Sequence, residues 1–289
     1  MGELVDQPAL GDDLDPGTGY RDELAGTVKF VFQPAEEGLG GAQAMLADGV
    51  LENPRPDFAL ALHLWNEQPF GWLGVTAGPA MAASDRYQIT ITGRGGHGAS
   101  PHLTVDPVLA GAQVVTALQS IVARNVNPLK SAVVTVTCLT GGEAFNVIPA
   151  TVNIRGTIRS FDPQVRSLVM DRFHQVVEGV AQGMGCQAKI ETWRVTPAVI
   201  NDAQIASRVQ AVAGRLLPEC DLDQAERTMG SEDMAYLMDD IPGCYFFIGS
   251  ADAARGLNAP HHNPLFDFNE AALPRAAALM AASITEMLG

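Results

Sequence analysis

The sequence predicts an α/β fold into which a second α/β unit has been inserted. Three observations carry this. Between Thr27 and Leu64 a β-type apolar run, a helix-like segment and a second uncharged run follow one another, which suggests a βαβ unit and a parallel sheet. From Ser84 the pattern changes to alternating strands and long helices in the order β-α-β-β-α-β, the split-βαβ or ferredoxin-like arrangement. After Val195 the chain returns to buried-strand and amphipathic-helix material. Residues 20–83 and 195–289 are therefore read as one discontinuous α/β domain, and residues 84–194 as the insert.

Taken in order, residues 1–19 are rich in Gly, Pro and Asp without periodicity and read as a loose tail. Tyr20–Ala25 reads as a helix end closed by Gly26. Thr27–Phe32 is expected to be a strand that stops at Pro34, and Gly38–Asp48 a helix with Ala42, Met45 and Leu46 inside. Phe58–Leu64 (FALALHL) carries no Asp, Glu, Lys or Arg, as expected of a strand covered on both faces. Trp72–Ala77 is a further short strand. In the insert, Arg86–Thr92, Ala132–Leu139, Thr151–Ile158 and Cys186–Trp193 are strands, and Val105–Ala123 and Pro163–Met184 are helices. Gly93–Pro101 is a glycine-rich loop. Beyond it, Asp202–Leu217 is a helix with an Asp cap. Gly230–Asp233 opens a helix that runs to Met238, Cys244–Ile248 is a buried strand and Glu270–Leu288 a closing amphipathic helix.

Composition narrows the function. A formal charge of −15 over 289 residues and a pI near 4.7 argue against nucleic acid and anionic membrane as main partners, since both need clustered Lys and Arg. The four cysteines have no metal-binding spacing and are expected to be reduced thiols of a cytoplasmic protein. The first residues, MGELVDQPALGDD, lack the basic and apolar stretches of a signal or membrane segment, so neither is expected.

The chemistry gathers at FVFQPAEEG. An expected strand ends by presenting Glu36 and Glu37, and adjacent carboxylates in a site call for a cation or a shared proton. Taken alone, the pair reads better as solvated acids opening a helix, where the dipole favours them. Downstream, His63 closes the expected second strand, and His261-His262 lie in a loop after the insert. If the insert folds by itself, its flanks meet, and Glu36, Glu37, His63 and His262 converge. Imidazoles and a carboxylate suit Zn²⁺ or a similar ion, with the spare carboxylate as base.

The motifs FQPAEEG, LHLWN, GRGGHGASPH, NVIPATVNIRGTIRS, GSEDMAY and HHNPLFDFNE occur in that order. Together they resemble the M20 metallopeptidase family, in its amidohydrolase branch of hippurate hydrolase-like and N-acyl-amino-acid hydrolase-like enzymes. The resemblance implies a zinc-exopeptidase-like α/β/α domain with an inserted ferredoxin-like βαββαβ lid, often a homodimer interface. It implies hydrolysis of the amide bond of a small N-acyl amino acid. Glu36 resembles the general base; Glu37, His63 and His262 resemble metal ligands, with His261 beside the last. His97 resembles the histidine that stabilises the oxyanion, and Asn146 and Arg159 resemble substrate-binding residues. His102 and Glu232 are lesser candidates. The divalent metal is Zn, Mn, Co or Ni. By their residues alone, His97 could instead be a solvated turn residue, Asn146 a turn former and Arg159 a paired sheet arginine.

The branch also carries an upstream Cys-Gly-His motif that supplies a bridging and a terminal ligand. This chain has no histidine before His63 and no cysteine before Cys138. Two expectations follow: an N-terminally truncated catalytic domain, and one metal rather than two. An impaired or inactive M20-like dimeric binding module is the alternative to an active hydrolase.

Overall fold

The computed structural model describes residues 24–38 and 40–289. In chain order the elements are α1 (Gly41–Ala47), β1 (Ala59–Pro69), β2 (Trp72–Gly74), β3 (Gly78–Met81), β4 (Ala83–Thr92), β5 (Gly96–His97), α2 (Pro107–Asn125), β6 (Ala132–Thr140), β7 (Val147–Ile148), β8 (Thr151–Ser160), α3 (Pro163–Gly183), β9 (Gln187–Thr196), β10 (Val199–Asn201), α4 (Ala203–Leu216), β11 (Asp221–Asp223), α5 (Met234–Met238), β12 (Gly243–Ala251) and α6 (Ala272–Leu288). The mixed α/β content matches the expected class.

One sheet has the order β1-β12-β2-β11. β1 and β12 run parallel, with Ala59 opposite Gly243 and Trp65 opposite Gly249. Side chains alternate across a strand, and β12 sorts its residues accordingly. Cys244, Phe246 and Ile248 pack with Val209 and Val212 of α4 and Leu279 of α6. Tyr245 and Phe247 point to the other face, into a cluster with Trp65, Trp72, Met81 and Ala235. That second face carries the chemistry described below.

Residues 83–196 hold a four-stranded antiparallel sheet of order β6-β8-β4-β9. Tyr87, Ile89 and Ile91 of β4 point inward and pack with Leu118 and Ile121 of α2 and Phe173 and Val177 of α3. Both helices start at an Asp-Pro pair. Asp106 accepts from the Val108 and Leu109 amides, and Asp162 from those of Gln164 and Val165; proline at the first helical position loses no needed donor. Buried Asp85 on β4 holds α3 through two bonds to Arg166, at 2.8 and 2.6 Å.

The expected strand Thr27–Phe32 is not one. The run lies outside any strand and, among the described residues, no strand pairs with it. A β-type sequence needs a pleated, half-buried surface to pack on; here Phe30 is 73% and Phe32 67% exposed. The parallel partner of β1 is β12, so the expected βαβ pairing does not form. Helix Gly38–Asp48 shortens to α1, and the helix expected from Gly230 shortens to α5. The expected tail 1–19 and most of Tyr20–Ala25 lie outside the described residues. All four cysteines are free, with Cys186 and Cys244 buried. None of the described helices is long and apolar enough to cross a membrane.

Candidate active site

The site is assembled on the Tyr245 face of the β1/β12 sheet. His63 and Trp65 share one side of β1, two residues apart. The loop after β12 returns over them. Asn66, fully buried, pins that loop: its Nδ2 donates to the carbonyls of Ala259 (2.7 Å) and Asp267 (3.0 Å), and its Oδ1 accepts from Ser250 Oγ (3.0 Å). The two adjacent histidines then part. His261 turns inward, with its ring 5.1 Å from His63, 5.5 Å from Trp65 and 4.9 Å from Phe266. Its Nε2 accepts from the Asn66 amide at 3.3 Å. Burial, reinforced by His63, holds the His261 pKa below the usual imidazole value, so this ring is kept neutral. His262 adopts a left-handed φ of 63° and turns outward. Its Nδ1 lies 3.9 Å from Glu37 Oε2, and both side chains are 77% exposed. A carboxylate and an imidazole from distant segments thus meet in the open.

Glu36, one residue earlier, points elsewhere. Its loop is tightly turned: Ala35 sits at φ 57°, Gly38 at 90° and Gly40 at 77°. Glu36 meets Glu232 and Asp233, with a ligand oxygen from each within 4.8 Å of the others. Glu232 is 7% exposed and Asp233 3%. Glu232 accepts from Tyr245 Oη at 2.7 Å and from the Met234 amide at 3.2 Å. Burial, then the charges of Glu232, Asp233 and Glu37, push the Glu36 carboxyl up to about 7. A carboxyl tuned to neutrality can both take and return a proton.

Residues 83–196 present the other candidates. β5 and β7 form a two-residue ribbon that sets His97 opposite Val147. The Gly98 amide donates to the Asn146 carbonyl at 2.8 Å, so Asn146 lies at the start of the strand that adjoins the His97 strand, one position beyond the His97–Val147 pair. His97 Nδ1 accepts from the Ala99 amide at 3.0 Å, which leaves Nε2 to carry the ring proton. Arg159, on β8, is partly buried. Its Nη1 donates to the Met229 carbonyl at 3.4 Å and its Nε to Thr157 Oγ1 at 3.1 Å. Among the described residues its guanidinium meets only neutral partners, and burial lowers its pKa.

The structure therefore brings Glu37 to His262, and it carries His97 and Asn146 on adjoining segments. It sets His63 beside His261 and Glu36 beside Glu232. Among the described residues it does not draw Glu37, His63 and His262 into one set of ligand atoms as close as the acidic one. Residues missed in the sequence are Gln33, Asn66, Asp233 and Tyr245. A signal existed for Tyr245, the one hydroxyl in CYFFI, and for Asp233, at the start of a helix.

The family model described as Peptidase family M20/M25/M40 matches residues 19–286. The chain belongs to that family. This M20 chain is 39% identical over 273 residues to the IAA-amino acid hydrolase ILR1-like 4 of Arabidopsis thaliana, covering 93% of the chain and 62% of the relative. It is 38% identical over 261 residues to the N-acetylcysteine deacetylase of Bacillus subtilis (strain 168), covering 90% of the chain and 66% of the relative. Among solved structures, the Bacillus subtilis YXEP protein, described as a dinuclear metal binding peptidase of the M20 family, superposes with a TM-score of 0.77 at 33% identity. That match covers 93% of this chain and 67% of the other. The M20 chain thus spans about two thirds of the length of these relatives.

Proposed function

We propose that this M20 chain is a metal-dependent amidohydrolase that cleaves the amide bond of small N-acyl amino acids. One observation carries the reading: a single turn directs Glu37 to the open His262 and Glu36 into a carboxylate pocket that tunes it to about 7. The relatives named as an N-acetylcysteine deacetylase and an IAA-amino acid hydrolase supply the substrate class.

The donor chemistry of the open pair fits a divalent ion, and Glu37, His63 and His262 are the residues we assign to hold one or two. When bound, such an ion supplies Lewis-acid polarisation of the substrate carbonyl. The chain's own groups supply the rest. Glu36 takes a proton from the attacking water and returns it to the departing amine as the C–N bond breaks. His97, with its proton on Nε2, is the donor we assign to the developing oxyanion. Asn146, on the adjoining segment, and Arg159 are assigned to the substrate, with Arg159 facing its carboxylate. Residues 84–194 are read as a ferredoxin-like lid: the order β6-β8-β4-β9 with two helices on one face supports that topology. The same unit is our candidate for homodimer contact. β6 pairs only with β8 among the described residues, and Leu139 on it is exposed. The four free thiols suit the reducing cytoplasm, where we place the protein.

The test is hydrolysis of a panel of N-acetyl and longer N-acyl amino acids by chelated protein refilled with Zn²⁺, Mn²⁺, Co²⁺ or Ni²⁺. Turnover is expected to return with metal. Metal-loaded protein that cleaves no member of the panel would overturn the reading and leave the inactive binding module. Within the panel, Arg159→Ala is expected to raise KM roughly 10- to 100-fold, the worth of a hydrogen bond to a charged group. Substrates whose carboxylate is esterified should not feel the change. Sedimentation at micromolar concentration reads the dimer.

A further inference from the structure

We propose that Asp233 is a positioning residue, a clamp that closes both ends of the loop carrying Glu36 and Glu37. The proposal rests on reading Glu36 as the base and adds what fixes its place. Asp233 Oδ1 accepts from Gln33 Nε2, immediately before the loop, and Oδ2 accepts from the Ala42 amide, immediately after it, at 3.1 Å. One buried carboxylate therefore spans residues 34–41. Among the described residues of that span, few other backbone bonds hold it. Three of those residues lie at positive φ, and the turn's own backbone bond runs from the Gly38 amide to the Glu36 carbonyl. The clamp is itself fixed. The Tyr236 amide donates to the Asp233 carbonyl at 2.9 Å. Its neighbour Glu232 is tied to β12 through Tyr245. Position is thus passed from the central sheet, through residues 232–233, to the loop.

The placement is costly for its electrostatics. Asp233 stands within ligand distance of Glu36 and Glu232, where a third carboxylate repels the other two. An asparagine would remove that repulsion, but it offers one acceptor oxygen and one donor amide, so it could keep both partners only if Gln33 turned its own oxygen to the new donor. What the carboxylate gains is two acceptors in one plane, so neither end of the loop can turn its partner away.

The test is a polarity swap in the full chain, reconstituted with metal: Gln33→Glu, Asp233→Asn and the two combined. Readouts are kcat and KM on an N-acetyl amino acid, and amide hydrogen exchange across residues 34–42. Gln33→Glu sets carboxylate against carboxylate. It is expected to lower kcat about 10-fold or more, with KM within about 2-fold, and to speed exchange across the loop. Asp233→Asn alone is expected to be milder, because the Gln33 amide can turn its oxygen to the new donor. The double variant restores both bonds with the roles reversed, since the introduced asparagine donates to residue 33 and still accepts from Ala42. It should recover kcat and slow exchange to within about 3-fold of the parent. Gln33→Glu with parental kcat and exchange overturns the proposal, and so does a folded double variant no better than Gln33→Glu. If the parent shows no turnover, the proposed function fails, and the exchange arm alone supports or overturns the clamp.

Discussion

Glu36→Gln is expected to leave a folded protein that hydrolyses N-acyl amino acids about 10²–10⁴ times more slowly. Glutamine keeps the size and the hydrogen-bonding oxygen of the carboxyl but can neither take the proton from water nor return it to the amine. The parent's rate should rise with pH to a plateau above about 7, because the base works deprotonated and its carboxyl is pushed up to about 7. The variant's residual rate should lack that limb. Stability moves the other way. The folded-state pKa lies above the ordinary 4.5, so between these values the native chain holds a proton that the unfolded chain has released. The stabilising contribution is complete below about 4.5 and is lost as pH rises through about 7. Glutamine never ionises, so metal-free Glu36→Gln should melt at a higher temperature than the metal-free parent above pH 7. A variant that loses activity while melting lower at every pH would indicate damage to the fold rather than loss of a base.

Gly41→Ala is expected to cost about 10² in kcat with the protein still folded. A Cβ at this position would lie 1.6 Å from the Pro34 carbonyl oxygen and 2.8 Å from its carbon. Both are backbone atoms and cannot swing aside, so α1 and the Glu36 loop must separate by roughly an ångström, the displacement at which positioning fails. Alanine is the better helix former, so the local propensity gain opposes the effect and makes the sign informative. Circular dichroism and kcat on the same preparation check it.

Much of residues 83–196 was legible because the signals there are local. Asp-Pro pairs mark the starts of α2 and α3, and strict alternation in RYQITIT marks β4. The α/β flanks were legible in type but not in pairing. Thr27–Phe32 has the composition of a strand, yet composition cannot say whether a neighbour stands beside it. β3, β10 and β11 have three or four residues, too few for a period to register. In the site, HHNP announced two histidines but not which turns inward. That is decided by the Asn66 bonds, which reach across to residues 259–267. The tie between Gln33 and Asp233 joins positions 200 residues apart; only the folded β1/β12 sheet brings them together.

The exposed phenylalanines have a consequence for the handling of the protein. Phe30 and Phe32 are exposed, and β1 offers one edge to β12 and, among the described residues, leaves the other without a partner strand. An open row of backbone donors and acceptors is a template on which a second molecule can add a strand, and exposed rings add to the tendency to associate. Solubility, more than melting temperature, should then set the concentration at which stocks can be kept. A charged residue in place of Phe32 is the first change to make for crystallisation.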